Sequence, residues 1–202
     1  MEYLVLGFFT GLSLILAIGA QNIFVIEQGL KKQYVLLVCL ICSISDLILI
    51  FLGIFLFHYF VQYFNSTIEL ILNTLLIIFL IHFIYSKIKS YNSKVEFYRE
   101  TQDVSKFDIF LKTLGFTYLN PHVYSDTVFF LGNFSKNFFL NDKILFGVGA
   151  SLASFLFFFL IGYLSKYLSH HAKKEKVWKI INLFIIIFMS LLTVFVILET
   201  IN

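Results

Sequence analysis

The sequence predicts an all-α polytopic membrane protein. Six transmembrane helices form two inverted three-helix repeats, and the first helix of each repeat is broken. Three observations predict this fold. The first is composition: 59% of the 202 residues are hydrophobic, 13% are charged, and the mean hydropathy is +0.90. Soluble domains are about 45–50% apolar and about 25% charged, which excludes that class. The second is a set of six apolar runs, each near the roughly 20 residues that a spanning helix needs. The third is a pair of polar interruptions, at Gly19-Ala20-Gln21-Asn22 and Leu119-Asn120-Pro121-His122. They fall in the first run of each group of three, and matched interruptions of this kind mark the binding site in transporters built from inverted repeats.

The first run extends from Tyr3 to Ile26 without a charge. No Lys or Arg precedes it and no small-residue cleavage site follows, so it reads as a retained helix and not a signal peptide. Gly7 and Gly11 form a G-x-x-x-G pair that lets another helix approach closely. Gly19, Gln21 and Asn22 then read equally as an unwound ligand site or as a helix end with capping amides. Glu27 and Lys31 stand in the order of a helical i,i+4 ion pair. With Lys32 they are expected to mark an exposed helix end.

The second run, Tyr34 to about Phe60, contains Asp46 near its middle. Cys39, Cys42, Ser43, Asp46 and Gly53 fall near one helical face, which should turn inward because an unpaired aspartate facing lipid is costly. The two cysteines have no accompanying Cys or His pair, so they read as small packing residues and not as metal or redox ligands. His58 reads as interfacial, as does His82 in the third run, from Ile68 or Leu70 to Tyr85.

Ser86 to Phe110 is the longest polar stretch and reads as a solvated connection. It would join the halves, about 1–85 and 111–202, of a single transmembrane domain over 1–202.

The fourth run, Thr113 to Ser135, holds the only proline, Pro121, together with Asn120, His122 and Asp126. Ionisable groups at that depth mark a functional site by default. The proline removes a backbone donor and frees a carbonyl. Tyr118, His122 and Asp126 share a face if the helix continues. Asn133 to Lys143 reads as a short loop.

The fifth run, Ile144 to Ser165, is rich in small residues, and Ser154 reads first as a packing residue that can also hydrogen-bond a ligand. A basic loop follows, from Lys166 through His170, His171, Lys173 and Lys174 to Lys179, with Trp178 as an interfacial anchor. The sixth run is Ile180 to Leu198.

Nearly all Lys and Arg lie in loops one, three and five, which the positive-inside rule places in the cytoplasm, with both termini outside if the first span crosses fully and the N-terminus inside if it is re-entrant. The formal charge of +3 is explained by orientation and does not point to nucleic acid. No nucleophile motif accompanies His122 and Asp126, which argues against a membrane enzyme. A purely structural subunit would leave two buried aspartates and a broken helix without a role.

The blocks Gly11-Leu12-Ser13-Leu14, Gly19 to Leu30, Asp46, Phe116 to Val128 and Gly147 to Phe155 resemble the lysine exporter (LysE) family of amino-acid exporters. The resemblance implies export of L-amino acids across the bacterial inner membrane, driven by the proton gradient or membrane potential. The continuation His122-Val123-Tyr124-Ser125-Asp126 resembles the lysine and arginine exporters more than the homoserine/threonine branch, where a lysine commonly follows the proline. Glu27 stands where an arginine is common, and Ser125 where a leucine is common.

The expected partners are thus a basic amino acid, a proton and the lipid bilayer, in a chain that can form a homo-oligomer, with no cofactor. Neutral amino acids or a cation are the alternative cargo. The expected substrate-binding residues are Gly19, Gln21, Asn22, Asp46, Asn120, Pro121, His122, Asp126 and Ser154. Asp46 and Asp126 would hold the ammonium or guanidinium group, and one of them would exchange a proton. The broken-helix backbone would hold the α-amino and α-carboxylate groups, with helix N-terminal N–H groups suited to the carboxylate. His122 is placed to titrate near neutral pH.

Overall fold

The computed structural model describes residues 1–16, 19–63, 66–91, 104–172 and 175–201, and every regular element among them is a helix. These are α1 (Glu2–Ile15), α2 (Ala20–Lys31), α3 (Val35–Tyr63), α4 (Ser66–Tyr91), α5 (Lys106–Tyr118) and α6 (Pro121–Tyr124). A π-helical segment (Ser125–Phe130), α7 (Leu131–Ser135), α8 (Leu140–Ala172) and α9 (Glu175–Ile201) complete the order. Among the described residues four stretches are long and apolar enough to cross a membrane: Val35–Phe57, Leu70–Lys89, Leu140–His170 and Lys179–Leu198. Helices α1 and α2 bend by 83° at their junction and count as a fifth where such a bent pair is one broken span and not a re-entrant loop. The chain is therefore a multi-pass helical membrane protein, and its outward faces carry Ile78, Leu160, Phe184 and Val194, all exposed. Apolar surface of that extent is what lipid, and not water, covers.

Backbone contacts between small residues position the helices. A Cβ on Gly149 would lie 2.0 Å from the Leu4 carbonyl oxygen, and one on Gly7 2.0 Å from that of Phe146. Helices α1 and α8 therefore touch backbone to backbone. The same device joins α3 to the segment after Pro121: a Cβ on Gly53 would meet Val128 Cα at 2.6 Å, and one on Gly132 the Gly53 oxygen at 2.6 Å. Helix α8 also packs on α2 and α3, and α9 packs on α4. The main core joins most helices through Phe24, Leu76, Leu80, Phe116, Phe158 and Met189. Cys39 and Cys42 are buried, and the Cys39 thiol donates to the Phe158 carbonyl oxygen at 3.3 Å.

Several boundaries move from their sequence-based positions. Helix α8 begins at Leu140 and runs past Ser165, so Lys166 and His170 lie on its last turns and not in a loop. At about 1.5 Å per residue its 33 residues outrun a hydrocarbon core of about 30 Å. Asn133 to Ser135 are helical, which shortens the fourth loop. Ser105 caps α5 by accepting from Phe107 N–H at 3.2 Å. Most of the long polar connection, residues 92–103, lies outside the described residues, as do Lys173 and Lys174 and the side chains of His58, His171 and Trp178.

The pairing of Glu27 with Lys31 is present at 2.7 Å, but not at an exposed helix end. Glu27 is 1% exposed, and the same carboxylate oxygen also takes Lys87 from α4. Packing of α4 over the end of α2 removes water there, and a buried carboxylate persists only with such partners.

Candidate functional site

Both interruptions expected from the sequence are real breaks. Helix α1 ends at Ile15, and α2 starts after Gly19, whose extended backbone (φ −113°, ψ −177°) serves as its N-cap. Helix α5 ends at Tyr118, and α6 starts at Pro121, the first-turn position where a missing N–H costs nothing. Each break leaves a carbonyl at the end of the first helix without its helical partner. A side chain from the following helix takes each one. Asn22 Nδ2 donates to the Ile15 oxygen at 3.1 Å, and the Tyr124 hydroxyl donates to the Tyr118 oxygen at 2.9 Å. The capping and site readings of Asn22 are thus compatible, since it caps α1 and also lines a cavity.

The breaks meet in space. A Cβ on Gly19 would find Asn120 Nδ2 as its nearest neighbour, at 4.0 Å. Around this point is a cavity of about 630 Å³, lined by Gly19, Gln21, Asn22, Asp46, Asn120, Asp126 and Ser154. Seven of the nine residues expected from the sequence therefore line one space, though they come from four helical regions far apart in the chain. Pro121 contributes through the backbone break. The side chains of Pro121 and His122 lie outside the described residues.

Two carboxylates set the electrostatics. Asp46 is buried, and Oδ2 accepts from the Ser154 hydroxyl at 2.7 Å. Ser154, read first as packing, is thus the partner of the central carboxylate. Asp126 lies on the π-helical segment, where the Leu131 N–H returns to the Asp126 carbonyl oxygen. The helix break between Tyr118 and Pro121 interrupts the simple i,i+4 alignment expected for Tyr118, His122 and Asp126, and π-bulges frequently occur at functional sites. No Lys, Arg or His is among the described residues that line the cavity. Among the described residues Gln21 Nε2 is buried without a geometric hydrogen bond, beside the Cys42 thiol.

The remaining wall is apolar. Gly11 and Leu14 of α1 contribute, as do Phe188, Leu192 and Phe195 of α9. Sequence reasoning did not single out the α9 residues because nothing distinguishes them from other apolar residues of a span. Pockets of this size generally combine mostly apolar walls with a few placed polar groups.

A family model described as LysE type translocator matches residues 12–200. The arginine exporter protein ArgO of Pectobacterium carotovorum subsp. carotovorum (strain PC1) is 34% identical over 189 residues, covering 89% of this chain and 88% of that protein. ArgO of Salmonella typhimurium (strain LT2) is 32% identical over 202 residues, with coverage of 95% and 92%. ArgO of Pectobacterium atrosepticum is 33% identical over 190 residues, with coverage of 89% and 88%. No solved structure matches the chain.

Proposed function

Because the chain belongs to the LysE type translocator family, we propose that it is a secondary transporter exporting basic L-amino acids, arginine or lysine, across the bacterial inner membrane. The observation that carries the substrate class is the central cavity: Asp46 and Asp126 face one space, with no cationic side chain among its described lining residues. In a low-dielectric enclosure two carboxylates favour a cationic guest strongly, since the same pair of charges attracts several-fold more there than in water. The resemblance to arginine exporters over most of the chain supports the same reading.

The substrate's guanidinium or ammonium group is received by Asp46 and Asp126, with Ser154 holding Asp46 in place. Its α-amino and α-carboxylate groups are received at the breaks, by Gly19, Gln21 and Asn22 on one side and by Asn120, Pro121 and His122 on the other. The N-terminal end of α2 offers N–H groups to the carboxylate. Exchange of a proton at one aspartate is the coupling we favour.

The architecture that would operate this site is a six-span inverted repeat. Spans one to three are α1–α2, α3 and α4; spans four to six are α5 to α7, α8 and α9. The pairing of helices supports it. The first span packs on the fifth and the second on the fourth; the second also packs on the fifth, and the third on the sixth. Exchanging the halves turns this set of pairs into itself. Rocking of one half against the other would then open the site to alternate sides. The distribution of lysines supports cytoplasmic loops one, three and five.

The test is efflux from proteoliposomes loaded with radiolabelled arginine, competed by a panel of amino acids. Arginine and lysine are expected to leave and to compete with one another. Preferential efflux of a neutral amino acid would overturn the substrate class.

A further inference from the structure

A second cavity, of about 290 Å³, lies at the far end of α2, between that helix, α4 and the start of α5. Its polar groups differ in kind from those of the central site. Glu27 Oε1 is occupied by Lys31 and Lys87, and Lys87 also reaches Asn182 Oδ1 of α9 at 3.5 Å. Among the described residues, Glu27 Oε2 is buried without a hydrogen bond, and so is the side-chain oxygen of the adjacent Gln28. Both residues line this cavity and are at most 2% exposed. Two bare acceptors at that depth are costly unless a donor reaches them. At the cavity's rim Lys112 of α5 is half-buried and makes no ion pair among the described residues.

We infer that this cavity receives the zwitterionic head group of an amino acid, with its α-ammonium on Glu27 Oε2 and Gln28 Oε1 and its α-carboxylate on Lys112. The inference rests on the export reading given above, and on loops one and three being cytoplasmic. The cavity then becomes the reception site on the loading side, visited before the central cavity. Three lysines, Lys31, Lys87 and Lys112, line it against one carboxylate, so a cation that lacks a carboxylate is repelled. Arginine enters because its carboxylate pairs with Lys112; agmatine, with the same guanidinium and no carboxylate, does not. The central cavity, with its two aspartates, has the opposite charge and would accept either compound. Selection of amino acids over polyamines would therefore be made here.

An aromatic cluster borders the second cavity. Phe24 follows Gln21 and Asn22 along α2 and lines the second cavity, while Phe116 lies near the end of α5, four residues before Asn120. Their ring centroids are 4.8 Å apart, and Phe79 and Phe83 of α4 pack on Phe116 at 4.7 and 5.1 Å.

The test uses the purified full chain carrying Asp46→Asn and Asp126→Asn, which disables the central site, with equilibrium dialysis of labelled arginine. Residual binding is expected that leucine displaces and agmatine does not. Lys112→Gln or Gln28→Leu should weaken it roughly tenfold or more, as loss of a hydrogen bond to a charged group would. Residual binding displaced by agmatine, or unchanged by both variants, or absent altogether, would overturn the inference. In otherwise unaltered protein, Lys112→Gln should raise the apparent KM for arginine efflux and leave kcat nearly unchanged. An unaltered chain that exports no arginine would sink the export reading itself, whereas arginine export with an unchanged KM in Lys112→Gln would sink only the reception site.

Discussion

The Ser154 hydroxyl donates a 2.7 Å hydrogen bond to Asp46 Oδ2, tying α8 to α3 at the wall of the central cavity. Both residues are buried, so the bond is made away from water, and to a charged acceptor whenever Asp46 is ionised. Such bonds contribute about 1.5–3 kcal/mol. Ser154→Ala should therefore cut arginine efflux about tenfold or more while the protein still reaches the membrane. Asp46→Asn and Asp126→Asn should each abolish efflux. Efflux normalised to membrane protein level measures all three, and unchanged efflux in both aspartate variants would sink charge recognition of the substrate.

Two glycines should respond in opposite ways to the same methyl group. At Gly149 the added Cβ would sit 2.0 Å from a backbone oxygen of α1, so Gly149→Ala must push the helices apart. Overpacking of this kind costs roughly 1–3 kcal/mol. At Gly19 the nearest atom is 4.0 Å away and the backbone is extended, so Gly19→Ala should keep the thermal midpoint of the wild type. A larger side chain there, as in Gly19→Leu, should fill the space beside Asn120 and block transport without loss of stability. Thermal unfolding in detergent, paired with efflux, separates the two sites.

Glu27 holds two buried lysines, Lys31 and Lys87. Glu27→Gln leaves both cations without their carboxylate and should destabilise the protein by about 3–5 kcal/mol. Adding Lys87→Met to Glu27→Gln should recover part of that loss, because it removes one uncompensated charge. A double-mutant cycle on thermal stability reads the coupling directly; additive effects would mean that the pair does not act as a unit.

Tyr124→Phe removes the hydroxyl that takes the Tyr118 carbonyl at the second break. The orphaned carbonyl should cost about 1–3 kcal/mol. Amide hydrogen exchange should then quicken at the end of α5 and the start of α6. Equal exchange in the variant and the wild type would show that the break is held by other contacts.

Much of this protein is readable along the chain. The spans at Val35–Phe57, Leu70–Lys89 and Lys179–Leu198 follow from apolar length alone, since lipid leaves the backbone no partner but itself. The breaks at Gly19 and Pro121 are local too, because they depend on residue type at one position. Asp46 and Asp126 stand out for a similar reason: a carboxylate in an apolar run has few acceptable surroundings. Other features have no local signal. Periodicity places Glu27 and Lys31 on one helix face, but burial comes from α4, whose Lys87 arrives 60 residues later in the chain. Ser154 looks like one more small residue until α8 lies against α3. The π-helical turn at Ser125–Phe130, which carries Asp126, has no signature in an i,i+4 count. The apolar wall on α9 is invisible for the opposite reason, because Phe188, Leu192 and Phe195 look like the other apolar residues of that helix. By itself the sequence determined which segments span and where they break, as these depend on transfer to lipid and on backbone chemistry at single residues. Only the tertiary structure decided that the breaks face each other, that Ser154 holds Asp46, and that Glu27 lies buried between two lysines, because each of these depends on the packing of helices distant in the chain.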